Sequence, residues 1–423
     1  MKKIKLTSLI FIALILGILV GWLAPDFARR LHVLADVFLR MVKMIIAPLL
    51  FATLIVGIAG HDDAKGIGRL GLKTIVYFEI VTTFALFIGL AVANIFKSSF
   101  EMKNLSIVTS GLTHIDPMIS ATRHSSLGEM LLSIFPTSIV QSMAEGNLLQ
   151  IVVFSIFFAL AIRSVGQKAK PVLDVLHSVA AIMFKFTEFV MWFAPVGIFG
   201  AIAYTIGQNG LAILKNYASI IGSLYLALAI FVVFVLSAAC CIVKISLKDL
   251  VKALHEPALL AFTTASSEAA LPKAMDIMER FGVPKTIVGF VMPTGYTFNL
   301  DGSTLYLAMA VIFSAQVAGI PLTLEQQLVI LVALMFTSKG IAGVPRVALI
   351  VLAGTLTSFK IPILGVAILL GIDQILDMGR TAVNLIGNCV ATVVIARWEK
   401  QFDYDKMKSF VNSLGKEEMI EAK

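Results

Sequence analysis

Six polar side chains share one otherwise apolar stretch near the C-terminus: Asp373, Asp377, Arg380, Thr381, Asn384 and Asn388. On an α-helix they fall within an arc of roughly 100° and form a single polar stripe. A charged group at mid-bilayer costs at least about 3 kcal/mol even on the lenient insertion scale, so three of them facing lipid are untenable. Either Asp377 and Arg380 neutralise each other as an internal ion pair, or the stripe lines a ligand site. Two amides and a hydroxyl on the same face favour the ligand site.

Other polar groups carry a similar ambiguity. Asp301, in Asn299-Leu-Asp-Gly-Ser303, has no basic residue near it in its own tract, and Pro293, Gly295 and Gly302 flank it as helix breakers. Unwound backbone within a membrane is tolerated where it is buried or lines a cavity, and its carbonyls can hold cations. The alternative is a hinge with Asp301 protonated. Ser266 and Ser267, beside Glu268, either present hydroxyls and amides to an anion or cap a short helix. Glu79 stands with Thr82 and Thr83 at i+3 and i+4, either as a hydroxyl-satisfied buried acid or as part of a cation or proton site.

The whole composition places these groups in a membrane. Of 423 residues, 58% are hydrophobic and 14% are charged, whereas a soluble domain carries about 25% charged residues. Apolar tracts near 20 residues recur along the chain, the signature of a polytopic membrane protein. The net charge of +8 sits in short segments between tracts, which reads as topology and excludes a nucleic-acid partner. Cys240, Cys241 and Cys389 lie inside apolar tracts and act as small hydrophobes. No histidine has a histidine partner at metal-binding spacing, and there is no nucleophile motif. Neither an enzyme nor an organic cofactor is expected.

The elements follow. Met1-Lys-Lys-Ile-Lys precedes an apolar tract to about Ala24. It is read as a first membrane helix, being longer than a signal h-region and lacking a clean cleavage site. Further tracts lie at about 38–60, 71–96, 149–163, 178–207 and 223–243, with a more polar loop over 100–146. Basic residues cluster at alternate tract ends, giving six crossings from a cytoplasmic N-terminus. Beyond Lys252, two apolar pieces of about ten residues, each too short to span, flank Thr263-Thr-Ala-Ser-Ser-Glu268. This reads as a re-entrant hairpin over 256–285, and a second covers 326–357. Between them runs a broken tract, 287–313; the last tract, 362–396, is one helix. Thr264–Pro272 aligns without gaps on Thr337–Pro345, and paired broken segments point to a transporter binding site.

Four motifs, Ser266–Pro272, Pro293–Ser303, Ser338–Pro345 and Asp373–Asn384, resemble the dicarboxylate/amino acid:cation symporters, and the resemblance covers nearly the whole chain. It implies an all-α polytopic fold with eight transmembrane helices, two re-entrant hairpins, inverted repeats and a homotrimer. Residues 1–70 and 101–215 would form a scaffold. Residues 71–100 and 216–400 would form an elevator-like transport domain with the second hairpin as gate, and 401–423 a cytoplasmic tail. Ser266, Ser267, Ser303, Gly343, Val344, Asp377, Arg380, Thr381 and Asn384 would bind substrate. Thr82, Thr83, Gly295, Thr297, Asn299, Asp301, Asn384 and Asn388 would hold a cation. Three positions depart from the sodium-coupled pattern: Asn388 replaces an Asp, Leu300 a Met, and Glu268 a Ser. A second arginine is missing at Ala265 and Gln374; Arg346, beside Pro345, is a candidate substitute.

The resulting expectation is proton-coupled uptake of glutamate or aspartate across the inner membrane, with both termini cytoplasmic. Arg380 would clamp the side-chain carboxylate with its planar fork, and Asp377 would take the ammonium. Glu268 is the first choice of proton carrier, with Asp301 and Glu79 as alternatives. Sodium coupling and a C4-dicarboxylate substrate remain open, as does an anion channel. Membrane lipid surrounds the protein in every case.

Overall fold

The computed structural model describes residues 6–59, 67–96, 135–211, 213–340 and 347–421. Every regular element among the described residues is helical. The first half holds α1 (Leu6–Leu23), α2 (Pro25–Arg30), α3 (His32–Ala59) and α4 (Ile67–Ile95), then α5 (Ile139–Glu145), α6 (Leu148–Val165), α7 (Lys170–Met191) and α8 (Ala194–Asn209). The second holds α9 (Ile213–Ile230), continued through a π-helical turn into α10 (Ser237–Ile242), then α11 (Leu247–Ala253), α12 (His255–Thr264) and α13 (Ser267–Arg280). It ends with α14 (Lys285–Phe298), α15 (Asp301–Val317), α16 (Leu324–Thr337), α17 (Val347–Ser358), α18 (Leu364–Leu370), α19 (Asp373–Trp398) and α20 (Tyr404–Glu421). Among the described residues five helical stretches are long and apolar enough to cross a membrane: 69–95, 150–191, 213–242, 285–317 and 373–398, the fourth interrupted at Asn299 and Leu300.

Paired short helices, α12 with α13 and α16 with α17, lie where the two hairpins are expected. At the first tip Ala265 takes the left-handed conformation, φ 49°, which ends α12. Ser266 then caps α13 by accepting the Ala269 amide. In the second, Thr323 and Gln326 close a reciprocal capping box that starts α16. The second tip, 341–346, lies outside the described residues, as does most of the polar loop expected over 100–146.

The structure corrects three expectations about helix breaks. The tract at 287–313 breaks at Asn299 and Leu300, whose ψ angles of 68° and 67° leave the helical region. Pro293 and Gly295 stay inside α14, where proline's fixed φ suits a helix although its missing N–H and its ring disturb the bond to the carbonyl four residues back. The last tract is not one helix: Gly371 and Ile372 separate α18 from α19, so Asp373 begins a helix, where the positive dipole end favours a carboxylate. The tract at 178–207 is two helices, α7 and α8, parted at Trp192 and Phe193, with Pro195 restarting the second.

Packing separates into two neighbourhoods. α1, α2, α3, α6, α7 and α8 pack chiefly on one another, while α15 lies along α4 and α19 is enclosed by α9 and α12 to α15. Small residues permit the closest approaches. A side chain at Gly89 would overlap the Leu305 carbonyl, which lets α4 and α15 lie nearly in contact. Tyr225 reaches across from α9 to donate to the Ile375 carbonyl at 2.8 Å. This enclosure leaves twenty residues of α19 buried, including every polar member of its stripe.

Candidate functional site

Arg380 is the anchor of the stripe, with its side chain 0% exposed. Its Nη2 donates to Asp377 Oδ1 at 2.8 Å and to Asp373 Oδ1 at 3.0 Å. The guanidinium carbon lies 4.0 Å from the Tyr306 ring centroid, a stacked cation–π geometry. The internal ion pair weighed from sequence is therefore present, but it does not exhaust the arginine. Nε and Nη1 have no hydrogen-bond partner among the described residues. A buried donor without a partner costs about 1–3 kcal/mol, and two such donors on one guanidinium have the fork geometry that matches a carboxylate.

Asn384, one turn further along α19, faces the start of α15. Its Oδ1 accepts the amides of Gly302 at 2.8 Å and Ser303 at 3.2 Å, and its Nδ2 donates to Ser303 Oγ at 3.0 Å. These two amides belong to the first turn of α15, so Asn384 satisfies donors that the helix leaves open. Thr381 is buried on the same face, and Ser267 is buried at the start of α13. Ser266 spends its hydroxyl on the cap, the second of its two expected roles. Gly343, Val344, Arg346 and the side chain of Glu268 lie outside the described residues.

The break between α14 and α15 gathers a second cluster. Asn299 Nδ2 donates to Asp301 Oδ2 at 3.0 Å and to Asn388 Oδ1 at 3.2 Å. Asn299, Asp301 and Asn388 are all fully buried. Gly295 and Gly387 make this closeness possible, since a Cβ on either would overlap Asn388 or Asp301 respectively. Asn299 Oδ1 and Asp301 Oδ1 have no hydrogen-bond partner among the described residues, so two oxygens, one on a carboxylate, remain for a hard cation. Thr297 is half-buried in the last turn of α14. The Thr83 hydroxyl donates to the Glu79 carbonyl of its own helix at 2.7 Å, which leaves its oxygen lone pairs to accept. That back-bond is the usual outlet for a threonine inside a helix.

The sequence reading missed Lys339. This residue sits in the short 3₁₀ turn that follows α16, and its ammonium enters the same region. Nζ lies 3.1 Å from Glu79 Oε1, 3.2 Å from Thr82 Oγ1 and 3.1 Å from the Phe298 carbonyl. The available signal was a lysine inside an apolar re-entrant segment, which by itself marks a functional position. Tyr306 was also missed, three residues beyond Ser303 in an unremarkable apolar run. Among the described residues no group of three His, Cys, Asp or Glu could hold a metal ion.

The profile of the sodium:dicarboxylate symporter family matches residues 6–398. The chain is 43% identical over 98% of its length to the proton/sodium-glutamate symport protein of Geobacillus stearothermophilus, covering 99% of that protein. It is 42% identical to the proton/glutamate-aspartate symporter of Escherichia coli (strain K12), with 97% of each chain covered. It is 41% identical to the C4-dicarboxylate transport protein of Bacillus subtilis (strain 168), covering 98% of this chain and 99% of that one.

Proposed function

The chain belongs to the sodium:dicarboxylate symporter family, and we propose that it imports glutamate or aspartate together with protons. It is a multi-pass membrane transporter, not an enzyme. The observation that carries the substrate reading is the half-spent guanidinium of Arg380 beside two carboxylates. The side-chain carboxylate of the substrate bonds Nε and Nη1, and Asp377 receives the ammonium group. Thr381, Asn384, Ser303 and Ser267 complete the hydrogen bonds, with Gly343 and Val344 on the gate hairpin. An amino group gives Asp377 a positive partner that a plain dicarboxylate lacks.

The division into a scaffold and an elevator-like transport domain draws support from the two packing neighbourhoods, which mate mainly within themselves. Assembly as a homotrimer in the inner membrane, with both termini cytoplasmic, completes the reading. A sodium-coupled variant is favoured by one observation, the open carboxylate oxygen of Asp301 beside Asn299. Proteoliposomes given a pH gradient or a sodium gradient separately test both readings. Labelled glutamate is the substrate and succinate the competitor. The expected result is saturable glutamate accumulation driven by the pH gradient, and exchange of internal for external label, which a channel does not give. Accumulation that needs sodium and ignores pH would transfer the coupling to sodium.

A further inference from the structure

Lys339 carries a positive charge into the cation region from the hairpin that also bears the gate. Its side chain is 9% exposed, and its ammonium meets three oxygens of three kinds. They are the Glu79 carboxylate at 3.1 Å, the Thr82 hydroxyl at 3.2 Å and the Phe298 carbonyl at 3.1 Å. Three N–H donors match three acceptors. The Phe298 carbonyl ends α14, where the helix dipole is negative. Asp301, two residues beyond the break, lies within electrostatic range of the same ammonium. A carboxylate, a hydroxyl and a terminal carbonyl are also the oxygen types that hold a sodium ion in a broken-helix site.

We propose that Lys339 is a built-in cation, its ammonium filling the Glu79–Thr82–Phe298 cage in place of a mobile sodium ion. A tethered charge travels with the protein in both directions and so adds nothing to the net charge moved per cycle. The cage then contributes structure without sodium coupling, and one fewer sodium ion is needed to close the site. The same contact ties the 3₁₀ turn after α16 to α4 and to the break between α14 and α15. The inference rests on the cation-coupled reading above. Its test is therefore a binding measurement that does not depend on transport.

The experiment compares the thermal stability of purified full-length protein as sodium chloride replaces choline chloride at constant ionic strength. Lys339→Met opens the cage and leaves Glu79 unpaired. It is expected to gain a saturable sodium-dependent rise in Tm beyond any shown by the wild type. Glu79→Gln/Lys339→Met, with both charges gone, loses that gain. In sodium-free uptake, Lys339→Met falls, and sodium restores part of it. A Lys339→Met protein whose sodium response equals the wild type's would overturn the proposal. Should Lys339→Met fail to fold, Thr82→Ala keeps the lysine and still decides the matter. The sodium concentration for half-maximal stabilisation stays unchanged if no mobile ion uses the cage, and a weakened sodium response overturns the proposal. Absence of wild-type uptake under every gradient would remove the symport reading while leaving the thermal comparison intact.

Discussion

Asn299 and Asn388, 89 residues apart in the chain, meet side chain to side chain at 3.2 Å beside the Asp301 carboxylate. The contact joins the break between α14 and α15 to the middle of α19, and Gly295 leaves room for it. With an amide at 388, the cluster has one formal negative charge where an aspartate would add a second. Asn388→Asp is therefore expected to lower the sodium concentration for half-maximal thermal stabilisation by roughly tenfold or more. Without sodium the variant is less stable than the wild type, because two buried carboxylates then face each other. Sodium titrations of Tm check both; an unchanged midpoint would remove Asn388 from the cation site.

Arg380 is both ion-pair partner and proposed substrate anchor, and a lysine separates the two roles. Arg380→Ala removes the buried arginine that pairs with Asp373 and Asp377, at a cost of about 3–5 kcal/mol, so lost uptake there would mix folding with binding. Arg380→Lys keeps the charge but replaces the planar fork with a point charge. We expect apparent glutamate affinity to fall roughly 30-fold or more, given about 2–5 kcal/mol for losing one partner of a buried charged contact. Thermal stability should fall less than in Arg380→Ala. Competition uptake and melting curves on the same preparations measure the two effects. Unchanged affinity in Arg380→Lys would mean the carboxylate binds elsewhere.

Much of this site was legible because its cost in a membrane is high. Asp373, Asp377, Arg380, Asn384 and Asn388 announce a buried stripe by their helical spacing, and α19 buries all of them. The two pairs of short helices were legible from length, since pieces near ten residues cannot span a bilayer. The positions of the breaks were not. Pro293 and Gly295 read as breakers but sit within α14, while Asn299 and Leu300 leave the helix because their neighbours supply alternative partners. Gly371 and Ile372 break the last tract without any proline nearby. Lys339 was hidden for a related reason: its partners come from α4 and α14, and no local pattern joins residues 257 apart. Thr82 and Thr83 looked equivalent at i+3 and i+4, yet one reaches Lys339 and the other bonds its own helix.

The mouth of the first hairpin offers a pH prediction outside the membrane core. Lys273 on α13 pairs with Glu256 on α12, joining the two arms. The hydrogen bond and charge of Lys273 hold the Glu256 carboxyl below the ordinary carboxylate range. A carboxyl depressed on folding contributes stability that is present above its unfolded value and lost as pH falls through the lower folded value. Both side chains are about half exposed, 54% and 50%, so the effect is screened and small. Amide exchange, corrected for its intrinsic pH dependence, should show the ends of α12 and α13 opening more as pH falls below the ordinary carboxylate range. Lys273→Met should show the opened behaviour already near neutral pH, and pH-independent protection would exclude this clasp.

Coupling to protons requires a group that binds one on one side and releases it on the other. Importing an acidic amino acid against an inside-negative potential needs co-transported positive charge, each charge contributing about 2.3 kcal/mol per 100 mV. Glu268, second residue of α13 and one step from Ser267, stands where the resemblance places the substrate-facing tip. A glutamine there keeps the size and loses the proton. Glu268→Gln is thus expected to lose accumulation driven by a pH gradient while retaining exchange of internal for external label, because exchange needs no net proton movement. Asp301→Asn and Glu79→Gln are the parallel variants for the two alternative carriers. The measurement is labelled glutamate uptake into proteoliposomes, acidic outside, with and without sodium. If Glu268→Gln still accumulates glutamate on a pH gradient alone, the proton rides on Asp301 or Glu79, and the variant that loses accumulation identifies which. If all three keep pH-driven accumulation, none of these carboxylates carries the proton.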